Sequence, residues 1–439
     1  MKKKIFFLVW VMLSCPKDLL WAQNELKLSE AIAYAIQNNY SLKVAKSQVQ
    51  IEQNNNTLGN AGFLPTLTSI TVFNGRSENV KQKFISGNTN ERNAAATRNF
   101  NTTLNLNWTI YDGGLMFVNR QRLGLITDIS ENILKDQIEN TIFQVCLAYY
   151  NIIQQKQRLK SLENNLLISQ QRLDLAKSKY EIGTGSKVEF LNAQVDFNTD
   201  KSAILSQKQQ IVNAKIALNT LIVRPLETDF EINDSLVLAP KLTWETLWNE
   251  AKTNNISLKT TQMQRQMSEL NLRATQALRL PQVDLNANGS FNYLTSQAGF
   301  LVSSRNFGVG YGLTATFNIF NGFNQNRLEQ NAKLQILMQD QQLKNQTLNL
   351  ESQLLQIFKH YENVILLAQL EKENLEIARQ NVAIALERYK VGASTPLELR
   401  EVQRNVITTE SRLIEALFNA KVAELNLLRL SGGLIQKNF

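Results

Sequence analysis

Tyr180-Glu-Ile-Gly-Thr-Gly-Ser-Lys-Val-Glu189 returns 209 residues later as Tyr389-Lys-Val-Gly-Ala-Ser-Thr-Pro-Leu-Glu398. In both copies Tyr-x-x-Gly ends one apolar-periodic run, and a hydroxyl residue followed three positions on by glutamate opens the next. Gly183 and Gly392 suit the left-handed residue that terminates a helix. Ser186 with Glu189, and Thr395 with Glu398, predict capping boxes, and Pro396 takes the favoured first helical position. Each segment reads as a sharp helical reversal, and two of them imply that the surrounding architecture is duplicated.

The duplication extends outward. Tyr111-Asp-Gly113 matches Phe320-Asn-Gly322 at the same displacement, and Tyr40-Ser-Leu-Lys through Leu64-Pro65 matches Ile256-Ser-Leu-Lys through Leu280-Pro281 without a gap, displaced by 216. Each copy covers about 200 residues, far more than a solenoid repeat, so the chain is one architecture built from two halves.

Between Gly113 and Ile182 there is no proline, and Ile138, Val145, Ile152, Leu159, Leu166, Leu173 and Tyr180 recur every seven residues. A sustained repeat of about 3.5 residues per turn predicts a left-handed coiled coil, here a rod on the order of 100 Å. The second copy follows more loosely through Leu354, Tyr361, Ala368, Leu375, Val382 and Tyr389. Shorter helical stretches flank each rod, Leu28 to Asn60 with Lys187 to Val223, and Leu242 to Arg279 with Leu397 to Leu430. Stacked end to end, each pair matches the long helix beside it.

Four segments instead alternate with period two. Phe100, Leu104, Leu106, Trp108 and Ile110 oppose Asn101, Thr103, Asn105, Asn107 and Thr109; Val283, Leu285, Ala287, Phe291 and Tyr293 oppose Asp284, Asn286, Asn288, Ser290 and Asn292. Val309, Tyr311, Leu313, Phe317 and Ile319 oppose Gly308, Gly310, Gly312, Thr314, Thr316 and Asn318, while Leu64 to Asn74 alternates most weakly. Such lengths cross a bilayer when tilted, and aromatic residues lie near the strand ends. Four strands cannot close a barrel and open edges are not tolerated in lipid, so several copies must complete one. The polar stretches Gly75 to Asn99 and Leu294 to Asn306 read as outer loops.

Export is predicted at the start. Lys2, Lys3 and Lys4 precede an apolar stretch from Ile5 to Leu13, with cleavage placed after Ala22; a lipoprotein signal using Cys15 is the alternative. Removing 22 residues takes away four lysines and one aspartate, so the net charge of +9 falls to +6. No dense basic tract marks a nucleic-acid surface, and Cys146, alone after cleavage, allows no disulfide framework. The organisation is a signal peptide at 1–22, a first repeat at 23–224, an inter-repeat equatorial linker at 225–241 and a second repeat at 242–439. Strands are expected at 64–74, 100–111, 281–293 and 307–320, long helices at 113–182 and 322–391, tips at 183–186 and 392–395, and return helices at 187–223 and 396–431.

This order of features, with Leu-Pro at strand starts, aromatic-Asp/Asn-Gly at strand ends and Tyr-x-x-Gly at the tips, resembles the TolC-like outer-membrane efflux family, the outer membrane factors. The resemblance covers essentially the whole mature chain. It implies an α+β membrane fold in which a trimeric 12-stranded outer-membrane barrel continues into a helical coiled-coil tunnel through the periplasm. It also implies a homotrimer set in outer-membrane lipid, a periplasmic adaptor (membrane fusion) protein at the tips and an inner-membrane pump of RND, ABC or MFS type. The implied gate residues are Tyr389, Glu398 and Glu401; the implied adaptor contacts are Tyr180, Gly183, Thr184, Gly185, Ser186, Gly392, Ala393, Ser394 and Thr395. One departure is that Ser394 stands where the family carries a basic latch residue, leaving Arg400 as a substitute.

Catalysis is not expected. His360 is the only histidine and sits mid-helix, Gly308-x-Gly-x-Gly312 lies inside a strand rather than before a helix, and no cofactor, metal or nucleic acid is called for. The function expected is a passive conduit opened by adaptor and pump; the alternative is a non-pore periplasmic adaptor or coiled-coil scaffold.

Overall fold

A computed structural model describes residues 25–232, 235–238, 242–298 and 301–435; the export signal, Cys15 and Pro240 lie outside these. In the first half, helices α1 (Leu28–Asn38), α2 (Tyr40–Asn55) and α3 (Leu58–Ala61) lead into strands β1 (Thr66–Lys83) and β2 (Thr89–Asp112). The 67-residue α4 (Leu115–Glu181) and α5 (Lys187–Ile222) follow. The second half comprises α6 (Trp244–Asn254), α7 (Ile256–Ala277), β3 (Gln282–Ser296), β4 (Ser303–Thr316), α8 (Asn324–Lys390, again 67 residues) and α9 (Pro396–Leu430). At 1.5 Å per residue each long helix is about 100 Å.

The flanking helices are not continuous, contrary to the reading of Leu28 to Asn60 and Leu242 to Arg279 as single runs. Each breaks at an asparagine, because that side chain competes with the helical backbone for hydrogen bonds. Asn39 accepts from the amides of Ser41 (2.9 Å) and Leu42 (3.4 Å) to start α2, and its Nδ2 donates to the Leu221 carbonyl at the end of α5. Asn255 does the same for the Leu258 amide (2.9 Å) and the Leu430 carbonyl (3.0 Å) at the end of α9.

The four strands form one antiparallel sheet in the order β1-β2-β3-β4, leaving β1 and β4 as edges. Its register puts Thr68, Asn105, Asn288 and Gly310 in one row, with Ile70, Thr103, Ser290 and Gly308 in the next row of that face. The opposite face carries Trp108, Leu285 and Leu313 in one row and Phe73, Phe100 and Tyr293 in another. From β2 to β4 one face is polar and small, with β1 adding Ile70 and Val72 to it; the other is predominantly apolar over roughly 25 Å along the strands.

The strands correct the predicted boundaries. β1 and β2 run far into the expected loop from Gly75 to Asn99, leaving only a turn in which the Phe84 amide donates to the Asn88 carbonyl at 2.8 Å. Apolar alternation stops there because ion pairs replace it, Arg76 with Glu78 (2.7 Å) and Lys81 with Glu91 (2.9 Å). The second hairpin likewise lengthens to Ser296 and begins again at Ser303, whereas β4 stops at Thr316, short of Phe320. Beyond it Gly322 and Phe323 adopt positive φ, and Phe320 packs edge-on against Phe323 at 5.3 Å as the chain turns into α8. Both hairpin turns point away from the helices.

Halfway along the rods lie two related cores. Val145, Tyr149, Ile152, Ala214 and Leu218 pack with Leu26, Phe230 and Ile232; Leu354, Phe358, Tyr361, Ala423 and Leu427, each displaced by 209, pack with Leu247 and Ala251. Cys146 belongs to the first. Below these cores the halves diverge. Every member of the α8 heptad from Leu354 to Tyr389 is buried, although its spacing looked the looser of the two. In α4 the buried seam passes to Ser161, Asn165, Ser169, Arg172 and Ala176, so Leu159, Leu166 and Leu173 are only half-buried. A polar buried seam needs partners, and those partners form the site.

Candidate functional site

Both tips are built as expected at the backbone. Gly183 and Gly392 follow the helices at φ +80° and +79°, and the hydroxyls of Ser186 and Thr395 accept the amides of Glu189 (3.1 Å) and Glu398 (3.2 Å). The glutamate side chains, however, do not turn back to complete capping boxes. The Glu189 carboxylate accepts the Tyr389 hydroxyl at 2.6 Å, and Glu398 accepts from Arg388 (3.1 Å) and Ser394 (2.8 Å). One links the halves; the other stiffens its own turn.

Tyr389 is about as enclosed as a side chain becomes, 1% exposed, packed with Ala385 and Leu399. The Lys179 ammonium lies 4.4 Å from its ring centre and donates to its carbonyl at 3.2 Å. Burial, with the Glu189 carboxylate accepting the phenol's hydrogen bond and adding its negative charge, holds the phenol well above its ordinary pKa. The equivalent Tyr180 is exposed and stacks on Phe190 at 6.0 Å.

A charged cluster lies deeper. Arg400 of α9 forks onto Asp200 of α5 at 3.0 and 3.1 Å and approaches Asp196 at 3.6 Å. Arg172 of α4 pairs with Asp196, and the Ser169 hydroxyl donates to Asp200. Burial opposes the Arg400 charge, but the Asp200 hydrogen bonds and the two carboxylates keep its pKa above the ordinary value. Arg400 thus joins α9 to α5, and through Asp196 and Asp200 the cluster reaches Arg172 and Ser169 of α4.

A cleft of about 540 Å³ opens beside these groups, lined by Glu189, Asp196, Tyr389, Arg400, Glu401 and Arg404. Glu398 and Glu401, one turn apart on α9, are both exposed. Of the predicted tip residues, Thr184 donates its hydroxyl to the Lys179 carbonyl at 3.3 Å, and a Cβ at Gly185 would meet that of Lys179 at 2.8 Å. The Ala393 amide donates to the Arg388 carbonyl at 2.8 Å. The sequence reading missed Lys179, Arg172, Asp196 and Asp200. A signal existed: residues 209 positions from Arg172, Asp196 and Asp200 are Asn381, Asn405 and Thr409, so these three charges have no counterpart in the other copy.

With this geometry in place the comparisons are informative. The model of the outer membrane efflux protein family matches residues 31–223 and 247–433, one segment per half. The chain belongs to that family. The outer membrane efflux protein BepC of Brucella suis biovar 1 (strain 1330) is 21% identical over 422 residues, covering 92% of this chain and 85% of that protein. Among solved structures, the outer membrane protein VceC of Vibrio cholerae superposes with a TM-score of 0.72 at 14% identity, covering 92% of this chain and 96% of VceC. CusC gives 0.75 at 17% identity, covering 93% and 92%. The fold is TolC-like, and this family member is an outer membrane efflux protein. The non-pore scaffold alternative has no support in these relationships.

Proposed function

We propose that three copies of this chain close a 12-stranded barrel and that their paired helices continue it as a periplasmic tunnel, a passive conduit for cargo chosen by an inner-membrane pump. The observation that carries this is the sheet: one face is predominantly apolar, the other is polar and small across β2 to β4, and among the described residues both edges are unpaired. In lipid such edges must be closed, and β1 meeting β4 of a neighbouring copy closes them. The tips around Gly183–Ser186 and Gly392–Thr395 are then the surface offered to a periplasmic adaptor. Tyr389 and Glu189 hold the aperture narrow, and Glu398 and Glu401 ring its mouth with carboxylates.

Planar-bilayer recording of the purified assembly tests this. Stepwise conductance is expected, with cation preference lowered by Glu398→Gln combined with Glu401→Gln, because carboxylate rings concentrate cations. An intact trimer without conductance defeats the conduit; unchanged selectivity removes the two glutamates from the gate. Affinity capture from the native envelope identifies adaptor and pump class.

A further inference from the structure

The outward face of the sheet changes character near its turn end. Arg98 of β2 lies opposite Thr295 of β3, which lies opposite Ser303 of β4; the adjacent row on the same face holds Phe100, Tyr293 and Arg305. With strands about 4.8 Å apart and about 3.4 Å per residue, the Arg98 and Arg305 Cα atoms stand roughly 12 Å apart, with the Tyr293 and Thr295 side chains between them. Both arginines are exposed and neither has an ion-pair partner among the described residues. The Arg305 guanidinium is drawn back over the Phe291 ring, 5.2 Å from its centre, toward the apolar band.

A cation held at the rim of an apolar band needs an anion from the surrounding medium, since its desolvation is otherwise uncompensated. The sheet does not provide one. Asp284 faces the other side, where Thr109 donates to it at 2.8 Å, and Glu78 lies in the row of that same side; Glu91, beyond the strand irregularity, is engaged by Lys81. The hairpin turns point away from the periplasmic helices, so this rim is at the outer leaflet. We propose that Arg98, Tyr293, Thr295 and Arg305 form a binding site for a phosphorylated glycolipid of that leaflet. The guanidinium forks take phosphate oxygens, the hydroxyls take the remaining acceptors, and Phe73, Phe100 and Phe291 receive the upper acyl carbons. The site serves to seat the sheet at a fixed height in the membrane.

The proposal rests on the outer-membrane placement of the sheet, so each sample is first checked for an intact, conducting assembly; loss there concerns the channel, not the lipid site. Native mass spectrometry then compares retention of phosphorylated lipid A with that of the same lipid after enzymatic dephosphorylation. The wild-type assembly is expected to favour the phosphorylated lipid by at least about tenfold, the scale of one charge-assisted hydrogen bond. Arg98→Gln with Arg305→Gln abolishes the preference, Arg98→Lys with Arg305→Lys retains part of it, and Arg76→Gln, on the opposite face, leaves it intact. Equal retention of the two lipids, equal loss in the Arg76 variant, or displacement by inorganic phosphate at matched concentration overturns the assignment.

Discussion

The Tyr389 hydroxyl donates to the Glu189 carboxylate at 2.6 Å, joining the last residues of one long helix to the first turn of the other half's return helix. A hydrogen bond to a charged acceptor contributes about 1.5–3 kcal/mol net, so its loss shifts an open-to-closed ratio by roughly ten- to a hundredfold. Tyr389→Phe removes the donor and little volume. Single-channel recording is expected to show longer open times or higher conductance for Tyr389→Phe, with Glu189→Gln intermediate because an amide oxygen still accepts. Unaltered gating in both variants sinks the latch.

Alkaline pH should not open this contact. Burial and the Glu189 carboxylate keep Tyr389 protonated well above the ordinary tyrosine range. Stability from a raised folded pKa is present below the unfolded value, about 10, and is lost only as pH rises through the folded value. Conductance recorded between neutral pH and the ordinary tyrosine value should therefore be flat, and a rise within that window would show that the phenol is less enclosed than its 1% exposure implies.

Arg400 and Asp200 should behave as a coupled pair. Removing one partner leaves a buried charge at a cost of about 3–5 kcal/mol, whereas replacing both by apolar residues is often neutral. Arg400→Met or Asp200→Leu alone is expected to lower the thermal midpoint sharply, and the double variant to recover much of it. Additive losses in that double-mutant cycle would mean that the fork seen at 3.0 and 3.1 Å contributes no coupling.

The two halves show what pattern reveals and what it hides. Heptads, period-two alternation and the glycine turns carry the rods, strands and tips because each depends on chain periodicity or backbone conformation. The breaks at Asn39 and Asn255 were missed because an N-cap asparagine inside a polar helical run differs little from a solvated one. The buried seam Ser161, Asn165, Ser169, Arg172 was missed for a similar reason. Its polarity hides its burial, and only contacts with Glu410, Asp196 and Asp200 explain why it is inside. Tyr389, Glu189 and Glu398 were legible as tip residues, but the Tyr389–Glu189 pairing spans 200 positions and no local pattern records it.

Asn255 should matter more than Asn39. Loss of an N-cap costs about 1 kcal/mol, and each asparagine also satisfies a return-helix carbonyl. Asn255 is 7% exposed, so Asn255→Ala leaves the Leu430 carbonyl without water as a replacement, whereas the half-buried site at Asn39 admits solvent. Denaturation of the two alanine variants is expected to rank them in that order, and the reverse would place the weight on the first half.

Glu139, on α4, yields a pH prediction of opposite sign to a paired carboxylate. It is 4% exposed, and its pKa is pushed up to about 7 by burial first and by the Asp136 charge second, with Arg429 and Lys259 opposing. Because the folded state holds this proton more tightly than the unfolded chain, the contribution is fully present below about 4.5 and is lost as pH rises through about 7. Above neutrality the ionised, buried carboxylate costs about 1–2 kcal/mol once solvent screening is allowed for. Glu139→Gln should therefore raise the thermal midpoint at pH 8, and the gain should shrink toward zero as pH falls below the ordinary glutamate value. Melting curves followed by circular dichroism across that range test the sign directly. A glutamine variant destabilised most at high pH would mean that Arg429 and Lys259 outweigh burial, and that the carboxylate is held as an ion pair.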